Sequence, residues 1–182
     1  MSDPTQQYRV QNAEVLYPDA EIVTVRRAEM EALVDRSSGN PRKRIRLCTH
    51  KDPQDALHEM LIVHERSAYV RPHMHPGKIE SMHVISGLVD VVVFDEAGEA
   101  REVISMGDYA SGLPFYYRVD TPIFHTLLIR SDVLVFHEVT DGPFQPGSSV
   151  FPTWAPDGGD TALAERYIAE LNQRIKPLLG SK

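Results

Sequence analysis

Between residues 44 and 139 the chain is written in short runs rich in Val, Ile, Leu and Phe, broken by turn residues at roughly eight- to twelve-residue intervals. The runs fall at 44–49, 58–64, 68–75, 80–85, 88–95, 101–105, 115–119, 125–129 and 133–139. They are too short for helices and regular enough to predict an all-β sandwich or barrel. Asp95-Glu96-Ala97-Gly98 between two apolar runs reads as a hairpin turn, and Ser86-Gly87 marks a second tight reversal, so consecutive antiparallel strands are expected.

The flanks read differently. Residues 28–36 predict a short helix with Met30, Leu33 and Val34 on one side, stopped by Ser37-Ser38-Gly39-Asn40-Pro41. Near the end, Leu163, Tyr167, Leu171 and Ile175 recur at i, i+4 spacing behind Asp160 or Thr161, an amphipathic helix closed by Pro177. Its apolar stripe predicts packing on the body of the protein or on a second subunit. Three segments follow: an N-terminal extension with a short helix (1–41), a β-barrel (42–143), and a C-terminal loop and helix (144–182). The residues from 10 to 25 are candidates for an edge-covering or exchanged strand.

Composition narrows the partners. The 182 residues suit one domain, and 19 Lys+Arg against 26 Asp+Glu leave a formal charge of −7. That sign repels phosphate backbones and anionic lipid, so neither nucleic acid nor membrane is expected as a partner. A lone cysteine, Cys48, excludes an internal disulfide and fits a reducing compartment. No run approaches the ~18 apolar residues of a membrane span, and residues 1–8 lack a signal-peptide pattern, which predicts a cytoplasmic protein.

Eight His make the unusual count. In Tyr69-Val70-Arg71-Pro72-His73-Met74-His75-Pro76-Gly77-Lys78-Ile79-Glu80, strand alternation would point His73 and His75 the same way. Pro76-Gly77-Lys78 then lets the chain reverse and bring Glu80 beside them. Such nitrogen and oxygen donors suit a divalent transition metal: Fe, Zn, Mn, Ni or Cu. Of the remaining imidazoles, His125 is the expected third, because it opens a run after the turn Asp120-Thr121-Pro122. His83 has the wrong parity against Glu80. In the doubly apolar run 133–139, either His137 or Glu138 turns inward.

The spacing His73-x-His75-x4-Glu80-x6-Gly87 with a downstream His125 resembles the cupins, small β-barrels whose metal is held by three His and one Glu. The segments 42–47, 69–78, 93–98, Asp141-Gly142-Pro143-Phe144 and 151–160 with Trp154-Ala155-Pro156 are similar to the WbuC-type cupin-fold metalloproteins of bacteria. The resemblance implies a single cupin barrel of jelly-roll type, a bound divalent metal and an association with surface-polysaccharide gene clusters. Sheet-to-sheet homodimers are frequent among cupins. Two positions depart from the usual cupin pattern: Ser67 stands where a Gly often precedes the first motif, and Asp120-Thr121-Pro122-Ile123-Phe124-His125 replaces the usual Pro-x-Gly-x-x-His turn.

The expected function is a metal-dependent enzyme acting on a small polar substrate, a sugar or carbohydrate precursor, by isomerisation or O2-dependent oxidation. A metal-dependent sugar-binding module without turnover is the rival. Alternation would place Tyr69 and Arg71 on the His73/His75 face, making Arg71 a substrate anchor, with Arg44 from the basic cluster 42–46 as a second. Tyr69, Glu138 and Lys78 are the candidate proton-handling groups.

Overall fold

The computed structural model describes residues 3–179, so Gly180, Ser181 and Lys182 of the expected C-terminal segment lie outside the described residues. Ten strands form two antiparallel-rich sheets: β1 Tyr8–Asn12, β2 Val15–Pro18, β3 Arg44–Cys48, β4 Leu57–Glu65, β5 Glu80–Ser86, β6 Leu88–Phe94, β7 Ala100–Gly107, β8 Tyr116–Val119, β9 Phe124–Ile129 and β10 Val133–Asp141. The seven-stranded sheet runs β1-β2-β3-β4-β10-β5-β8 and the three-stranded sheet β7-β6-β9. The mainly β single barrel expected from the sequence is present.

Alternation decides which residues fill it. Met60 and Ile62 of β4, Met82 and Val84 of β5, and Leu134 and Phe136 of β10 meet Val89 and Val91 of β6, Met106 of β7 and Leu127 and Ile129 of β9 in one buried cluster. That cluster lies between the sheets. The opposite face of the large sheet presents Leu16, Ile45, Leu47, Val63 and Val135, which cover Leu33 of helix α1, Arg27–Gly39. Glu29 caps α1 by accepting from the Arg26 backbone N–H at 3.0 Å. The outer face of the small sheet carries Val92, Phe94 and Leu128 under helix α2, Thr161–Arg174. Asp160 accepts from Leu163 N–H at 3.1 Å and starts that helix. Its buried stripe is Ala164, Tyr167 and Leu171, continued by Ile175, whereas Leu163 of the expected stripe is 49% exposed. The helix thus packs on the body of its own chain.

Two sequence expectations differ from the structure. Residues 68–75 form no named strand; they hold only isolated bridges, His73 to His125 and Met74 to Val150. Ser86-Gly87 is a corner between sheets and not a hairpin, because β5 pairs with β10 and β8 while β6 pairs with β7 and β9. Gly87 is at φ +98°, and a Cβ there would sit 2.5 Å from Ser131 Oγ and Val133 O, so the corner leaves no room for a side chain. The 95–98 hairpin between β6 and β7 is formed, closed by Gly98 N–H donating to Asp95 O at 3.1 Å. Strands β1 and β2 extend the large sheet through a parallel β2–β3 pairing, Val15 opposite Arg46.

Candidate metal centre

Glu80 opens β5 and His125 is the second residue of β9, so the two sheets bring them to the same end of the barrel. The link to the irregular 68–79 stretch is a reciprocal pair of backbone bonds: His73 N–H donates to His125 O at 3.0 Å and His125 N–H to His73 O at 2.9 Å. The turn after His75 delivers Glu80. One ligand atom from each of His73, His75, Glu80 and His125 lies within 4.8 Å of all the others. Glu80 and His125 are buried.

The imidazoles are held from behind. His73 Nδ1 donates to Arg71 O at 2.8 Å and His125 Nδ1 donates to Ile123 O at 3.0 Å, because a carbonyl can only accept. Both rings therefore keep an unprotonated Nε2 for the cluster when neutral. His75 Nδ1 is 3.1 Å from Ser149 Oγ, and its Nε2 is 3.3 Å from Glu80 Oε2. His125 Nε2 is 3.6 Å from Glu80 Oε1. Outward Nδ1 bonds of this kind fix ring orientation in metal sites.

The electrostatics match a cation. Burial pushes the Glu80 carboxyl upward, yet hydrogen bonds from His125 and His75 reverse that and hold it well below the usual carboxylate range. Burial pushes His125 down, and Glu80 more than compensates and raises it. Burial, reinforced by His125, drives His73 down to about 4. The pocket demands positive charge but will not protonate all its imidazoles, a demand that one divalent ion on three neutral imidazoles and a carboxylate satisfies. The donor set fits a divalent transition metal.

Two further groups reach the cluster. Tyr117 of β8 donates its hydroxyl to Glu80 Oε1 at 2.9 Å; the strand at 115–119 was legible, but nothing local signalled this bond. Burial, then Glu80, raises the phenol well above its ordinary value, so it stays a donor. Glu138 shares the inward face of β10 with Leu134 and Phe136, and its register partners are Met60 and Met82. Burial, then the charge of Glu80, raises its carboxyl. His137 takes the outward face opposite the exposed His83, its Nε2 4.0 Å from Glu59 Oε1. Tyr117→Phe is expected to keep the fold and weaken metal affinity ~10–100-fold, the usual effect of removing a bond to a ligand. Competition with a chromogenic chelator measures it, and unchanged affinity would show that the phenol does not position Glu80.

The other sequence candidates sit elsewhere. Tyr69 donates to Pro156 O at 2.8 Å and stacks edge-on with Tyr167. Arg71 donates to Pro152 O and Ala155 O, each at 3.4 Å, and lies 4.8 Å from the centre of the Phe151 ring. Both bond carbonyls of the 151–156 loop, and Arg71 Nε is buried without a partner; residues 68–72 lie in no named strand, so alternation does not set where they point. Lys78 Nζ donates to Asp141 O at 2.7 Å and Pro143 O at 3.3 Å, tying the turn to the end of β10. Arg44 pairs with Glu14 at 3.2 Å beside a separate small cavity. Cys48 is buried, which pushes its thiol up.

Two facing sheets with three imidazoles and a carboxylate converging at one end define a cupin-type barrel with a candidate divalent-metal centre. Residues 25–106 match a family described as a domain of unknown function, DUF6016, a span that holds His73, His75 and Glu80 but not His125. No curated protein matches the chain. Among solved structures it is similar to Bacillus subtilis oxalate decarboxylase, in work on that enzyme's Mn(II) centres, at 23% identity over 53% of this chain and 24% of that one, with a TM-score of 0.42. The formate complex of Lactobacillus farciminis oxalate decarboxylase is 19% identical over 53% of this chain and 27% of that one, also at 0.42. The chain thus spans about a quarter of the length of those enzymes. No helix among the described residues is long and apolar enough to cross a membrane.

Proposed function

We propose that this chain is a metal-dependent cupin enzyme of the WbuC type, acting on a small polar substrate such as a sugar or carbohydrate precursor by isomerisation or O2-dependent oxidation. The observation that supports it is the joint orientation of His73 and His125, whose Nδ1 atoms are committed to carbonyls, around Glu80 and His75, with Glu138 on the adjoining inner face. A divalent Fe, Zn, Mn, Ni or Cu ion held by His73, His75, Glu80 and His125 would polarise a substrate oxygen or carry redox chemistry.

The chain's own residues supply the rest. Glu138, raised by burial and by Glu80, holds a proton closer to neutrality than an ordinary carboxyl and is the group to exchange it with a substrate carbon or hydroxyl. Tyr117 keeps Glu80 oriented. Met60, Met82 and Phe136 form an apolar wall that limits water around Glu138. The same reading makes the protein a cytoplasmic homodimer that works in bacterial surface-polysaccharide metabolism.

Elemental analysis of freshly purified protein, followed by O2-uptake and aldose–ketose interconversion assays, tests the proposal. Stoichiometric metal and turnover slowed ~100-fold or more in a Glu138→Gln variant that retains its metal are expected. Bound metal with saturable sugar binding and no turnover would replace the enzyme reading with that of a binding module.

A further inference from the structure

A second polar constellation, built from residues other than the metal ligands, lies on the inner face of the large sheet. Arg44 and Arg46 alternate on β3, and their register partners on β4 are His64 and Ile62. With Arg42, Glu14 and Ile45 these residues line a cavity of about 120 Å³. That is well below the ~300–1,000 Å³ typical of pockets for drug-sized ligands, and suits one charged group.

Three guanidiniums and a single carboxylate line that cavity. Glu14 is already occupied: Arg42 holds it through Nε and Nη2 at 2.7 and 2.6 Å, and Arg44 Nε reaches it at 3.2 Å. The Arg46 backbone N–H donates to Glu14 O at 2.8 Å, while its exposed side chain makes no ion pair or hydrogen bond among the described residues. His64 is only 7% exposed, yet its buried Nδ1 has no partner. With Nδ1 closed off from solvent, Nε2 is the ring nitrogen left to face the cavity that His64 lines. Burial, then the charges of Arg44 and Arg46, drives His64 down to about 3, so the ring is neutral and can donate from one nitrogen.

We infer that this cavity is an oxyanion site, in which Arg44, Arg46 and His64 grip a phosphate group while Glu14 holds Arg42 and Arg44 in place. The guanidinium fork matches phosphate geometry, and the neutral His64 ring in the cavity wall adds one N–H donor, from Nε2. The site stands on residues distinct from the metal ligands and does not depend on the metal reading.

The test is titration of the full-length chain with inorganic phosphate, followed by calorimetry and by the ring signals of His64 in NMR, in metal-loaded and chelator-treated samples. Saturable binding that moves the His64 signals in both samples is expected, weakened ~10-fold or more by Arg46→Gln, the size of a lost bond to a charged group. Arg46→Gln keeps the backbone pairing of β3 and removes a side chain with no hydrogen-bond or ion-pair partner among the described residues, so the variant is expected to fold with the metal content of the wild type. Unmoved His64 signals, unchanged affinity in Arg46→Gln, or binding that vanishes with the metal would each overturn the assignment. A hexose phosphate that competes more tightly than the free ion would identify the group as part of a phosphorylated metabolite, whereas equal affinity would identify inorganic phosphate.

Discussion

Replacing His73 and His75 together by alanine is expected to abolish stoichiometric metal binding while leaving the barrel folded. The two imidazoles supply half of the four-residue cluster, and the remaining pair, Glu80 and His125, would leave only one nitrogen and one carboxylate. The fold does not lean on them. Neither lies in a named strand; the His73 side chain bonds Arg71 O, and that of His75 meets Ser149 Oγ and, within the cluster itself, Glu80 Oε2. The bridge between residues 73 and 125 is made by backbone atoms, which alanine retains. Metal-free wild type and variant should therefore unfold within about 1 kcal/mol of each other. The difference shows when metal is added: at ~1,000 times the dissociation constant the wild type gains ~4 kcal/mol, and the variant gains nothing. Thermal melts with and without metal, paired with elemental analysis, make the comparison. Stoichiometric metal in the variant would refute the site. Occupancy in the wild type should also fall as the solution is acidified, because imidazole and carboxylate must shed protons to bind, and protons then compete with the ion.

Phe136→Ala should cost ~3–5 kcal/mol, a large part of the ~5–15 kcal/mol stability of an ordinary domain. Phe136 sits in the middle of β10, which is paired on one side to β4 and on the other to β5. Its ring is essentially inaccessible, packs with the apolar residues of both sheets, and meets the His64 ring edge-on with centroids 5.4 Å apart. Truncation opens a void between sheets that are tied by long-range pairing and cannot close on it. Urea unfolding checks the value: the midpoint should fall with little change in slope. Phe136→Leu, which preserves most of the volume, should cost less than ~1.5 kcal/mol. A loss below ~1 kcal/mol for the alanine variant would mean that β10 is not the centre of the core.

Much of the β pattern was readable because alternation and turn residues act locally. The strands at 80–86, 88–94, 124–129 and 133–141 lie within a few residues of the runs that predicted them. Alternation in 133–139 narrowed the inward polar residue to His137 or Glu138, and the structure turns Glu138 in. The same rule has no strand to act on at Tyr69 and Arg71. Pro72 and the 151–156 loop draw that stretch out of a regular ladder, and the side chains follow the loop.

By itself the sequence determined the barrel class, the convergence of His73, His75 and Glu80 around one tight reversal, and the two flanking helices. Those features follow from spacing along a few neighbouring residues. Only the tertiary structure decided that His125 bridges to His73, that Tyr117 bonds Glu80, that β5 pairs with β10 rather than β6, and that Arg44, Arg46 and His64 surround one cavity. Each of these joins residues far apart in the chain, and their register is set by how two sheets bury a shared apolar face, which no local period encodes.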